Sequence, residues 1–99
     1  MAVKVLIKRQ FKEGHLNEIN KMLKKFRDGA MDQEGYMSSE TLWDAKDPNR
    51  VVVASNWRSM EDWNKWKNSE LRKANEGEFE SFLAQPIAYE FYYMGIYPY

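Results

Sequence analysis

Residues Arg50 to Leu71 read RVVVASNWRSMEDWNKWKNSEL, an apolar strand that turns into a tryptophan-bearing helix across one capped corner. Val51, Val52, Val53 and Ala54 leave no polar face, the pattern of a strand covered on both sides. Ser59-Met60-Glu61-Asp62 follows the Ser-x-x-acid arrangement, in which the hydroxyl takes an amide of the first turn and the acid reaches back, so a helix starts at Ser59. Trp63 and Trp66 share one face of it. Asn68-Ser69 offers a second cap ahead of Leu71, Ala74 and Phe79, which predicts two consecutive helical pieces with a kink near Asn68.

Working outward, Val3, Val5 and Ile7 alternate with Lys4, Leu6 and Lys8 in a first strand from Val3 to Phe11. Gly14 breaks it. Leu16, Ile19, Met22, Leu23, Phe26 and Ala30 then recur at three- and four-residue steps and predict a helix over His15 to Met31. Glu34-Gly35 turns the chain into a second strand, Tyr36 to Trp43, and the Asp44 to Asn49 segment, rich in turn formers, closes a hairpin with the Val51 strand. Gln85-Pro86 ends the helical region, and Ile87 to Met94 is a fourth strand rich in aromatics. Strand, helix, strand, strand, helix, strand is the βαββαβ order of the α+β ferredoxin-like architecture, a four-stranded antiparallel sheet with its helices on one face. With apolar residues expected on both faces of strands three and four, the side without helices calls for a second copy, a homodimer packed sheet to sheet.

A chain of 99 residues fits one domain, 1–99. Fifteen basic side chains balance fifteen acidic ones, so no net field favours nucleic acid or a membrane surface. The absence of cysteine excludes disulfides, thiolate metal sites and thiol nucleophiles. No segment approaches the roughly 20 apolar residues of a membrane span, and the N-terminus lacks a signal-peptide core, so the expected location is cytoplasmic. Phe, Trp and Tyr make up 15% of the chain, with four Trp, enough to fill a core, line a pocket or seal an interface.

Gly35-Tyr36, the Asp47-Pro48 turn and Asn56-Trp57-Arg58-Ser59 leading to Glu61, Asp62, Trp63 and Trp66 resemble the antibiotic biosynthesis monooxygenase (ABM) domain family. The resemblance spans nearly the whole chain and implies the dimeric α+β barrel fold, with a pocket between sheet and helices. Some members of that family oxidise quinol-like aromatics with O₂ and neither metal nor flavin; others degrade haem. In the haem-degrading pattern, an Asn on the first strand, a Trp and a His ten positions later, Trp66 matches the Trp. Ile7 stands at the Asn position, and Glu76 stands at the His position with Asn75 beside it; neither Glu76 nor Asn75 replaces an imidazole as an axial ligand, which disfavours haem degradation by that mechanism.

The candidate substrate-binding residues are Trp66, as a matching pocket wall, Trp63 on its face, Asn56 as an amide at a buried strand end, and Tyr36 as a phenolic donor. Tyr89 and Tyr92 are further donors, whereas Trp57 reads as packing and Arg58 as a surface partner of the helix start. His15, the only histidine, reads as a solvent-facing helix end. Lys21, Lys24, Lys25 and Arg27 read as a solvated helix face. No general base stands out, leaving the catalytic residues unassigned. No Gly-rich phosphate loop or metal-ligand cluster is present, so neither cofactor nor metal is expected. The function implied is a cofactor-independent monooxygenase of a small aromatic hydroquinone or phenol. The alternatives are a non-catalytic dimer binding a small hydrophobic ligand and, third, an atypical haem-binding protein.

Overall fold

A computed structural model describes residues 1–96. The elements run β1 (Val3–Gln10), α1 (Leu16–Met31), β2 (Tyr36–Trp43), β3 (Arg50–Trp57), α2 (Met60–Lys67), α3 (Glu70–Glu80) and β4 (Ala88–Tyr93). The strands form one antiparallel sheet in the order β2-β3-β1-β4, the ferredoxin-like arrangement expected. The predicted break between the second and third helices is real, and local capping makes it. Ser59 accepts from the Asp62 amide at 3.1 Å and Ser69 from the Arg72 amide at 3.2 Å, so each piece begins on its own hydroxyl.

Cross-strand partners share a face, so the register sorts the side chains. Val3 faces Trp57 and Tyr93, Val5 faces Ser55 and Phe91, Ile7 faces Val53 and Tyr89, and Arg9 faces Val51. This row lies under the helices. Val3, Val5, Ile7, Trp57, Trp63, Trp66 and Ala30 of α1 pack into one cluster, and Phe11, Ile19, Leu23, Phe26, Val51 and Phe79 into a second. Each of the larger buried side chains contributes about 1.5–3 kcal/mol by leaving water.

Two glycines permit the closest approaches. Gly35 has φ +83°, and a Cβ there would collide with the Asp62 side chain. Its carbonyl accepts from the Arg58 amide at 2.8 Å, tying the start of β2 to the corner between β3 and α2. A Cβ at Gly29 would lie 3.0 Å from the Trp66 ring, so α1 lets that indole lie against its backbone.

Three expectations change. The apolar residues of β3 are not all covered: Val51 and Ala54 are buried, while Val52 and Val53 are half-buried. The face away from the helices carries Leu6, Val52, Ala54, Leu42 and Tyr92, but also Lys4, Lys8, Glu40, Glu90 and Asn56. Tyr89, Phe91 and Tyr93 point to the helix side, because they pair with Ile7, Val5 and Val3. The phase of α3 also differs. Leu71 is 49% exposed and Ala74 is exposed too; Phe79 is buried as the stripe predicts, but the positions buried with it are the polar Arg72 and Asn75. On α1 the inward stripe is Ile19, Leu23, Phe26 and Ala30; Leu16 is exposed, and Lys21, Lys24, Lys25 and Arg27 are exposed as expected.

Candidate functional site

The inward row of β1 does not end in an apolar residue but in Arg9, which is 2% exposed. The inward row of α3 meets it with Arg72, also 2% exposed, and with Glu76 one turn on. Glu76 Oε1 accepts from Arg9 Nη2 at 3.4 Å and forms an ion pair with Arg72, whose Nη2 is 2.9 Å away. Arg72 Nη2 also donates to the Tyr89 hydroxyl at 3.2 Å. Aromatic faces surround both guanidiniums. Arg9 Cζ lies 5.0 Å from the Phe26 ring centre and 5.5 Å from that of Phe79, and Arg72 Cζ lies 5.1 Å from that of Trp63. Burial holds Arg9 below the usual arginine range; Glu76 opposes that shift and Arg72 adds to it. An arginine so placed still keeps its proton at neutral pH.

The cluster sits where two spaces meet. Behind it lies a cavity of about 40 Å³ walled by Tyr36, Trp57, Trp63 and Trp66, with the hydroxyl-bearing residues Ser39 and Ser55 on its sheet side. Such a space admits a few water-sized molecules, not an aromatic ring. In front lies a groove of about 730 Å³ between α3 and the segment leading into β4, with Leu83, Ile87 and Tyr89 as its apolar wall. That volume is within the range of small-molecule sites. Among the described residues, Arg72 is the one that borders both spaces.

Trp66, Trp63 and Tyr36 therefore meet at one cavity. The Tyr36 hydroxyl is engaged by Ser39 Oγ at 2.7 Å, and Trp57 Nε1 donates to Ser55 Oγ at 3.1 Å. Asn56 does not join them. It pairs with Lys4 on the opposite face of the sheet and its Nδ2 donates to Ser38 Oγ at 2.9 Å, because its place in the strand alternation turns it away from the helices. Tyr92 lies on that same outer face, and the Arg58 guanidinium, among the described residues, makes only long surface contacts to Glu34 and Asp62, each 4.0 Å. His15 is half-buried rather than solvent-facing, its ring 4.9 Å from that of Phe82. Ile7 is core, and the Glu76 carboxylate is engaged by the two arginines.

Arg9 and Arg72 were not singled out from the sequence, and Glu76 only as the residue at the haem-ligand position, although signals for this cluster exist. Extending the alternation Val3, Val5, Ile7 by one step turns Arg9 inward. Spacings of three, four and seven place Asn75, Glu76 and Phe79 on the face of Arg72. Asn75 is buried with them, and its Nδ2 has no hydrogen-bond partner among the described residues.

The fold is that of a ferredoxin-like α+β protein with an aromatic cavity between sheet and helices. The chain belongs to the antibiotic biosynthesis monooxygenase family, whose sequence model matches residues 2–80. Solved structures repeat the fold. A candidate antibiotic biosynthesis monooxygenase from Nitrosomonas europaea superposes with a TM-score of 0.87 at 18% identity, over 98% of this chain and 92% of its own. A conserved protein from Methanosarcina mazei Go1 gives 0.86 at 16% identity, over 93% and 91%. SnoaB, a cofactor-independent oxygenase from Streptomyces nogalater, gives 0.85 at 9% identity, over 97% and 95%. No curated protein matches the chain. No helix among the described residues is long and apolar enough to cross a membrane.

Proposed function

We propose that this protein is a cofactor-independent monooxygenase of a small aromatic hydroquinone or phenol. The observation that carries the reading is the paired arrangement of a ligand-sized groove and a small tryptophan-walled cavity joined at Arg72, in a chain of a family that bears the monooxygenase name. The ring lies in the groove against Tyr89 and Ile87, with an oxygen toward Arg72, and O₂ occupies the cavity behind. A hydroquinone supplies all the electrons. One oxygen atom of O₂ enters the ring, the other leaves as water, and the product is the hydroxyquinone. The guanidinium of Arg72 favours the ionised phenol, the form rich enough in electrons to reduce O₂. Trp63, Trp66 and Tyr36 keep the reacting space dry.

A non-catalytic binder is favoured by one observation. Glu76, the one carboxylate in the charged cluster, is already committed to two arginines and offers no free general base. O₂ uptake by purified protein with a panel of hydroquinones decides between the two. Protein-dependent uptake, lost in Trp66→Phe or Arg72→Gln and retained in Asn56→Ala, supports the enzyme. Ligand binding with no uptake across the panel leaves only the binder.

We also propose that two copies pair through the outer sheet face, with Leu6, Val52, Ala54 and Tyr92 at its centre. Light scattering at micromolar concentration tests this, and a monomer mass refutes it.

A further inference from the structure

The charged cluster does not balance. Arg9 and Arg72 bring two positive charges beneath the surface, and Glu76 returns one negative charge. The hydrogen bonds do not balance either. Nη2 of Arg72 serves both Glu76 and Tyr89, while Nε of Arg72 and Nε of Arg9 are buried without a partner among the described residues. A buried guanidinium with an unused donor bears a desolvation cost that an oxyanion would offset. Aromatic faces compensate part of the charge but accept no hydrogen bond from the ring-plane donors of Arg9 and Arg72 in the way an oxygen does.

Place and shape narrow the ligand. Arg72 borders the groove while its guanidinium is held just inside by Glu76 and Tyr89, so an anionic oxygen on the groove floor approaches a positive charge already fixed in place. Leu83, Ile87 and Tyr89 offer an apolar wall to whatever carries that oxygen. We infer that the groove takes an aromatic monoanion, a ring bearing a carboxylate or an ionised phenol. Its oxyanion binds Arg72, and Arg9 supplies the second positive charge behind it. This rests on the groove being the ligand site named above and adds to that reading the sign of the substrate's charge, which the other charged residues lining the groove, Lys67 and Lys73 against Glu80, do not reverse.

Benzoate and its neutral isostere benzamide are the probes, titrated by calorimetry into the full-length protein near pH 7. Benzoate binds at least about tenfold more tightly, the factor expected of a charge-assisted hydrogen bond. Glu76→Gln keeps an oxygen for Arg72 but removes the competing negative charge, so it tightens benzoate several-fold and leaves benzamide unchanged. Arg72→Gln removes the preference. 4-Nitrophenol, titrated above and below its own ionisation, tests the phenolate arm and binds more tightly when ionised. Equal affinities for benzoate and benzamide, no saturable benzoate binding at millimolar concentration, or an unchanged benzoate affinity in Glu76→Gln each overturn the inference. The Glu76→Gln result does not depend on a fragile variant, because a merely structural cluster would lose stability there without gaining affinity. Turnover is not read in these titrations. Failure of O₂ uptake with the preference intact rejects the monooxygenase alone, and uptake without the preference rejects the anion site alone.

Discussion

Two ends of one sheet face behave differently. At one end Val3 and Val5 of β1 meet Trp57, Trp63 and Trp66 in an apolar layer. At the other, two positions beyond Ile7, the same strand sends Arg9 into a layer of Phe26 and Phe79, where it faces Arg72 and Glu76. Both layers are buried, yet one returns the free energy of apolar burial and the other spends part of it on desolvating charge. A domain of this size has only about 5–15 kcal/mol of net stability. Two nearly inaccessible arginines, paired with one carboxylate and packed on aromatic rings, are thus a cost that an anion bound as proposed above would offset.

The largest loss of stability is expected at the apolar end. Trp63→Ala should lose about 3–5 kcal/mol in urea unfolding, since the indole is 1% exposed between β3, β4 and α3. Trp63→Phe should lose much less. It keeps most of the ring and removes a buried Nε1 that has no partner among the described residues.

At the charged end the expected order reverses when several groups change together. Glu76→Ala should cost about 2–3 kcal/mol, below the full value for a buried pair because Glu76 is 23% exposed, and it leaves two guanidiniums facing each other. Arg9→Met, Arg72→Leu and Glu76→Leu combined should equal or exceed the parent in stability while losing anion binding. If the triple variant is less stable than Glu76→Ala, the cluster belongs to the fold rather than to a site.

The smallest effect lies on the outer face, where Lys8 Nζ and Glu90 Oε1 are 2.8 Å apart in solvent. The bond from Lys8 holds Glu90 below the usual glutamate range, as the amides of Lys46 and Asp47 hold Asp44 below that of aspartate. A depressed carboxylate stabilises the fold above its unfolded pKa and loses that contribution as pH falls through the folded one. Acid unfolding followed by circular dichroism should therefore be slightly shallower below the ordinary carboxylate range in Glu90→Gln. Near neutral pH the pair's small contribution is fully present, so Glu90→Gln is slightly less stable there by an amount that does not vary with pH.

Much of the fold was legible because its signals are local. The Val3, Val5, Ile7 alternation, the Ser59 and Ser69 caps and the Asp47-Pro48 turn each act within a few residues, and each stands where the sequence placed it. The site was legible only as far as its walls. Trp63, Trp66 and Tyr36 converge, but Asn56, one step out of phase, lies across the sheet. Leu71 and Ala74 misled because an apolar stripe is the usual guide to a helix's inward face, and α3 buries Arg72 and Asn75 instead.

By itself the sequence determined the order of elements, the caps that divide α2 from α3, and the tryptophan face that packs on β3, since these follow from backbone preference and side-chain period. Only the tertiary structure decided that Arg9 and Arg72, sixty-three positions apart, would share the carboxylate of Glu76 beside a groove. Periodicity fixes which way a side chain leaves the backbone. Where a long guanidinium ends, and which partner it leaves unsatisfied, depends on elements that meet only after the chain has folded.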